Sequence, residues 1–287
     1  MTEIIASLAA ISDRYDALFC DVWGCYHDGV RPLPGAVAAL RAFRARGGAV
    51  ILLTNAPRPE DSVRAQIEAI GGPADSYDAI ASSGGAAREA LRRGDWGAKV
   101  HHVGAFPKDE AMFEGVSAER VALEDAESLV VTGLRDDVKE TPADYENLLV
   151  EAHLRRLRML CANPDLVVDY GGRRAWCAGA LAQRYRELGG EVMEYGKPHP
   201  QIYDYARDVL TRTSGRVVPD ERILCLGDGL RTDVAGAAGE GLDCLYVAGG
   251  LDAAELLAPD GAPVPERLEA RLAEARQVPR WAIGHLK

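Results

Sequence analysis

The sequence predicts an α/β protein: a doubly wound parallel sheet interrupted by an inserted second α/β unit. Three observations carry that expectation. Short apolar runs alternate with segments of helical period, polar clusters stand directly after four of those runs, and a second alternating stretch separates the second cluster from the third.

Residues 17–22, 49–53, 79–82 and 99–103 read as buried strands, with helical patterns over 34–46, 60–70 and 86–92 between them. In the second of these helices Val63, Ile67 and Ile70 share one face, and Gly71 and Gly72 supply the stop. Strands at 129–132 and 159–162 flank a helix over 143–157, forming the second alternating unit. The first pattern then resumes with a strand at 191–195, a helix over 200–210, strands at 223–226 and 244–247, and a closing helix over 265–276 that spaces Leu268 and Leu272 helically. At the start, Ile4, Ile5, Leu8 and Ile11 form a stripe among Glu3, Asp13 and Asp16, which reads as an amphipathic helix rather than a signal peptide, so a cytoplasmic protein is expected.

The 287 residues suffice for one large domain or a core carrying an insertion. With 47% hydrophobic and 27% charged residues the chain is an ordinary folded protein, which excludes collagen-like, coiled-coil and disordered classes. A net charge of -11 argues against nucleic-acid binding and requires that any anionic substrate be held by a local cluster of cations. The apolar runs are far too short to cross a membrane. Six cysteines without a C-x-x-C pair read as reduced, buried thiols rather than as a zinc or disulfide framework.

The four polar clusters matter because ligands of doubly wound sheets bind at the carboxyl ends of the strands. Asp21 follows the first apolar run and can attack an electrophile; taken alone, it reads better as an aspartate opening a turn. Thr54 and Asn55 follow the second run, where a hydroxyl and backbone N–H groups could hold phosphate oxygens; alone they are merely loop. The Gly196-Lys197-Pro198-His199-Pro200 segment fixes a lysine at a helix start, a compact charge for phosphate, although an exposed turn lysine is the plainer reading of it alone. Asp228 and Asp233 lie in a glycine-bounded loop and can share magnesium. A hairpin turn is the alternative, but residues 234–241 lack the alternation of a returning strand.

In this order the clusters resemble the haloacid dehalogenase-like superfamily, whose motifs are a nucleophilic Asp, a Ser/Thr, a Lys and an acidic pair. The long insertion, together with Leu53-Thr54-Asn55, Asn163-Pro164-Asp165, Gly196-Lys197-Pro198 and Gly227-Asp228-Gly229, is similar to subfamily IIA, which includes p-nitrophenyl, pyridoxal and phosphoglycolate phosphatases. The resemblance implies a Rossmann-like core over residues 1–86 and 187–287 and an inserted α/β cap over 87–186. It implies Asp21 as nucleophile, Thr54 and Lys197 as phosphoryl-holding and charge-neutralising groups, and a Mg2+ site made by Asp21, the Trp23 carbonyl, Asp228 and Asp233. It also implies a small phosphorylated substrate, with Asn55, Asn163, Asp165, Arg173 and Arg174 as candidates to contact it, and it allows a homodimer. For the segment carrying Arg173 and Arg174, a solvated hairpin at Gly171-Gly172 is an equal reading.

One departure stands out. The family's phosphatases usually place a second aspartate two residues after the nucleophile, to protonate the leaving group; this chain has Trp23, whose indole exchanges no proton at neutral pH. His27 and Asp28 could substitute only if the loop folds back. Two rival readings follow: hydrolysis of 2-haloacids, which needs no metal and leaves Asp228 and Asp233 unexplained, and a phosphoryl-ligand binder that has lost turnover.

Overall fold

Runs such as Ala49–Thr54 and Ile223–Gly227 are apolar at nearly every position because parallel strands inside an α/β protein are covered on both faces. The computed structural model describes residues 2–170 and 173–287. In chain order its strands are β1 (Glu3–Ile4), β2 (Ala17–Asp21), β3 (Ala49–Thr54), β4 (Ala79–Ser82), β5 (Lys99–Val103), β6 (Glu119–Arg120) and β7 (Ser128–Val131). They continue with β8 (Arg158–Cys161), β9 (Val167–Tyr170), β10 (Arg173–Trp176), β11 (Val192–Glu194), β12 (Ile223–Gly227), β13 (Asp243–Val247) and β14 (Trp281–Ile283).

The chain divides into two units, one comprising the chain up to Thr54, Arg64–Ala81 and Lys197–Lys287, the other Asn55–Val63 and Ser82–Gly196. The first unit holds a seven-stranded sheet in the order β1-β14-β13-β12-β2-β3-β4. Its central strands run parallel, with Leu18 opposite Leu224 on one side and Val50 on the other. The chain moves outward from β2 to β3 and β4, then returns to lay β12 on the other side of β2 and moves outward again. The reversal lies between β2 and β12, and at such a switch point the crevice beyond the strand ends is the natural ligand site. Helices Pro34–Ala45 and Pro200–Ser214 pack against β3, and each starts on a proline whose missing N–H costs nothing at that position. The first buries Val37, Leu40 and Phe43, the second Ile202, Tyr203 and Leu210.

The second unit holds a five-stranded parallel sheet in the order β11-β8-β7-β5-β6 and the antiparallel pair β9-β10. Leu129, Val131 and Met159 from its strands pack with Leu149 of helix Glu146–Leu154 and with Leu181 and Tyr185 of helix Ala178–Glu187. The α/β class and the parallel sheets are as the sequence predicts. All six cysteines are free and buried. Among the described residues no helix is long and apolar enough to cross a membrane.

Three local expectations are corrected. The N-terminal stripe is not an α-helix: Glu3 and Ile5 donate their N–H groups to Arg280 and Ala282 across β14, and two short 3-10 turns, Leu8–Ala10 and Ser12–Arg14, follow. The 143–157 helix starts as a 3-10 turn on Pro142, becomes α-helical only over Glu146–Leu154, and is ended by Arg156 at φ 57°. The strand expected to resume the first sheet, β11, pairs instead with β8 in the second. Strand β14 was not expected; Trp281 donates its indole N–H to the Tyr15 hydroxyl at 2.9 Å, and that hydroxyl donates to Asp243 at 2.7 Å.

Leu18 is fully buried on β2. Leu18→Ala is expected to cost the first unit about 2–5 kcal/mol through lost burial and the cavity left behind, read as a lower denaturant midpoint.

Candidate functional site

Asp21 is the last residue of β2, Thr54 the last of β3, and Asp228 directly follows β12; all are nine-tenths or more buried. Strand termination thus delivers these side chains to the switch point of the first unit, where Lys197 joins them. Its ammonium donates to Asp21 Oδ1, to Asp233 Oδ1 at 2.7 Å and to the Leu53 carbonyl at 3.2 Å. An ammonium has three N–H donors, and two carboxylates and a backbone carbonyl are within their reach. Lys197 is only 3% exposed, so its charge is compensated by those carboxylates rather than by water.

The acidic loop is built to match. After β12 the chain enters a π-turn over Leu230–Val234 that continues into helix Ala235–Gly239, so the segment is no hairpin. Asp233 Oδ2 accepts from the Gly229 N–H at 3.1 Å and from the Thr232 hydroxyl at 3.2 Å. Asp228 Oδ2 accepts from the Leu251 N–H at 2.9 Å. A Cβ on Gly24, which sits at φ 76°, or on Gly250 would run into the Asp228 carboxylate, so both positions require glycine for close backbone approach.

Burial pushes the Asp21 carboxyl well above its usual range; Lys197 opposes the shift, while Asp233 and Asp228 reinforce it. Burial and then the charge of Asp233 push Asp228 up to about 7. Burial alone would weaken the ammonium of Lys197, but Asp21 and Asp233 more than offset it and hold it charged. With all three carboxylates ionised, Lys197 leaves two negative charges uncompensated within this group, the deficit one divalent cation would balance. One oxygen each of Asp21 and Asp228 and the sulfur of Cys25 lie within 4.8 Å of one another. Two hard carboxylates beside glycine-opened space fit magnesium. Asp233 is engaged with Lys197 and its own loop.

The loop after Asp21 is a tight turn held by its own backbone. Gly24 donates to the His27 carbonyl at 2.9 Å, His27 donates to the Val22 carbonyl at 3.0 Å, and the His27 ring meets the half-buried Trp23 edge-on at 5.1 Å. His27 is buried, which depresses its pKa, and Nδ1 accepts from the Gly29 N–H at 3.0 Å, leaving the proton on Nε2. Asp28 is exposed, and its carboxylate is committed to the Val30 and Arg31 N–H groups at 2.9 and 2.8 Å.

The other candidates belong to the second unit. Asn55 donates from Nδ2 to Asp165 Oδ1 at 2.9 Å, and the Asp165 N–H donates to Asn163 Oδ1 at 3.0 Å, so these three are brought together. Arg174 is exposed on β10. The Gly171-Gly172 turn and the side chain of Arg173 lie outside the described residues. Sequence reasoning missed Cys25 as a member of the Asp21–Asp228 group; its position four residues after Asp21 was the available signal.

Two family profiles match the chain, one described as haloacid dehalogenase-like hydrolase over residues 18–117, the other as HAD-hydrolase-like over residues 194–271. A hydrolase of the haloacid dehalogenase-like family from Brucella suis is 40% identical, with a TM-score of 0.83 and all of both chains covered. A 4-nitrophenylphosphatase from Thermotoga maritima shares the fold at 20% identity and a TM-score of 0.71, covering 96% of each chain. A glycerol phosphate phosphatase from Mycobacterium tuberculosis, solved with calcium, is 25% identical with a TM-score of 0.65 over 84% of this chain and 68% of that one. No curated protein matches.

The raised pKa of Asp228 sets a pH dependence. The folded chain keeps this proton up to about pH 7, while the unfolded chain releases it near 3.8, so without metal the folded state loses this group's stabilisation as pH rises between those values. A divalent cation needs the ionised form. Magnesium affinity is therefore expected to be level above pH 7 and to weaken by about tenfold per unit below it, as followed by calorimetric titration. An affinity that does not change between pH 5.5 and 7.5 would remove Asp228 from the ligands.

Proposed function

The chain belongs to the haloacid dehalogenase-like family of hydrolases, and from that premise we propose that it is a magnesium-dependent phosphatase of a small phosphorylated metabolite. The reaction runs through an aspartyl-phosphate on Asp21. The observation that carries this reading is the clamp of Lys197 on Asp21 and Asp233, with Asp228 beside it at the ends of adjacent strands.

Asp21, the Trp23 carbonyl and Asp228 would hold the magnesium, with Asp233 binding it directly or through water. Bound there, the ion supplies a fixed divalent charge beside the phosphoryl oxygens. Lys197 favours the ionised form of Asp21 and orients it, so that its carboxylate can form a bond to phosphorus as the bond to the leaving oxygen breaks. Thr54 and Lys197 hold the equatorial oxygens and spread their charge. Water then attacks phosphorus, releasing phosphate and restoring the carboxylate. The second unit acts as the cap that selects the substrate, through Asn55, Asn163, Asp165, Arg173 and Arg174. A cytoplasmic location and a homodimer complete the reading.

The first test is release of phosphate from a panel of esters with and without magnesium. Asp21→Asn should lower turnover by at least about 10⁴-fold, since the amide keeps the shape but not the nucleophile. Retention of near wild-type phosphate release, or release of halide from 2-haloacids in its place, would overturn the assignment.

Trp23 generates a sharper expectation. Without a carboxylic acid at that position, substrates whose leaving group needs a proton should lose roughly 10²–10⁴ in rate. Aryl and acyl phosphates should therefore turn over far faster than alkyl phosphates, with a burst of leaving group where the aspartyl-phosphate accumulates. Rapid alkyl-phosphate hydrolysis with no dependence on leaving-group pKa would instead point to His27 as the acid.

A further inference from the structure

The thiol of Cys25 has no part in the chemistry above, yet it is completely buried beside the two carboxylates that would hold magnesium. Two other buried cysteines donate to backbone oxygens: Cys20 to Asp21 at 3.2 Å and Cys161 to Asn163 at 3.2 Å. Among the described residues, Cys25 makes no hydrogen bond. Its sulfur faces one oxygen each of Asp21 and Asp228, and these donor atoms all lie within 4.8 Å. The chain is forced this close because Gly24 passes directly against the Asp228 carboxylate.

We propose that Asp21, Cys25 and Asp228 form a site for a thiophilic divalent ion, zinc or cadmium, which competes with magnesium and shuts the enzyme off. The inference rests on reading Asp21 and Asp228 as a metal site, not on the identity of the substrate. Magnesium is a hard ion that seeks oxygen and leaves a neutral thiol alone. Zinc and cadmium gain a sulfur ligand that magnesium cannot use. Zinc binds sulfur at about 2.3 Å and carboxylate oxygen at about 2.0–2.2 Å, so shifts of roughly an ångström bring all three donors onto one ion. As the metal–sulfur bond forms, the thiol proton passes to solvent. A fourth donor, such as the Trp23 carbonyl, completes a tetrahedral shell and leaves no open position for a phosphoryl oxygen.

The test uses the full-length chain, stripped with a chelator and titrated with cadmium or cobalt(II). The expected result is thiolate-to-metal charge-transfer absorption that saturates at one equivalent and is reversed by excess magnesium. Cys25→Ser should abolish the band and weaken cadmium binding by at least about tenfold, and Asp228→Asn should also remove the band. A band that survives Cys25→Ser belongs to another thiol and overturns the proposal. Should that variant not fold, X-ray absorption of wild-type protein loaded with one equivalent of cadmium decides: one sulfur in the shell supports the site, and a shell of oxygen and nitrogen alone overturns it. Phosphate release on magnesium with no such band would defeat this inference and leave the phosphatase reading intact. A band without magnesium-dependent phosphate release would do the reverse.

Discussion

Lys197 is the constraint on which the first unit depends. An ammonium buried to 3% exposure is tolerable only if its donors are satisfied and its charge is matched. Here the matching groups come from β2, from the end of β3 and from the loop after β12, so three separate strands must be in register before the charge is compensated. Three carboxylates gathered around one ammonium in turn leave a negative deficit. Burial, and after it the charge of Asp233, pushes the Asp228 carboxyl up to about 7. Stability of the site and the protonation of its carboxylates are therefore one electrostatic problem.

Much of the site was legible because its members sit where a strand stops, and strand ends are visible as apolar runs meeting a polar residue. Asp21, Thr54 and Asp228 were found in that way, and Lys197 by the prolines around it. What the sequence hid was partnership. Nothing in the spacing told that Asp233 is held by Lys197 and its own loop, or that Asn55 and Asp165 are bonded across a long stretch of chain. Cys25 was hidden for a different reason: a cysteine in an apolar setting is usually inert packing, and only the turn at Gly24 aims it at two carboxylates.

The fold shows the same division. Strands flanked by clear helical periods were readable, and so was the absence of a returning strand over residues 234–241, where a π-turn over Leu230–Val234 runs into a helix. Failures fell on elements defined by their partners. The strand β1 is two residues long and exists because it pairs with β14, the Glu3 and Ile5 N–H groups reaching the Arg280 and Ala282 carbonyls; β14 itself is secured by the Trp281–Tyr15–Asp243 chain of hydrogen bonds. Likewise β11 carries no mark of which sheet it joins until β8 is beside it. Periodicity reports which face a residue shows, not which neighbour it meets.

The strand order of the first unit also dictates when the site can exist. Strand β2 carries Asp21 near the beginning of the chain, but its neighbour on one side, β12, is synthesised only after the whole of the second unit. On the ribosome, β2 and β3 can pair early, while the edge that will receive β12 stays open through most of translation. During that interval the Asp21 carboxylate has neither Lys197 nor Asp228 beside it. The nascent chain therefore carries an unfinished half-site, which the last third of the polypeptide completes.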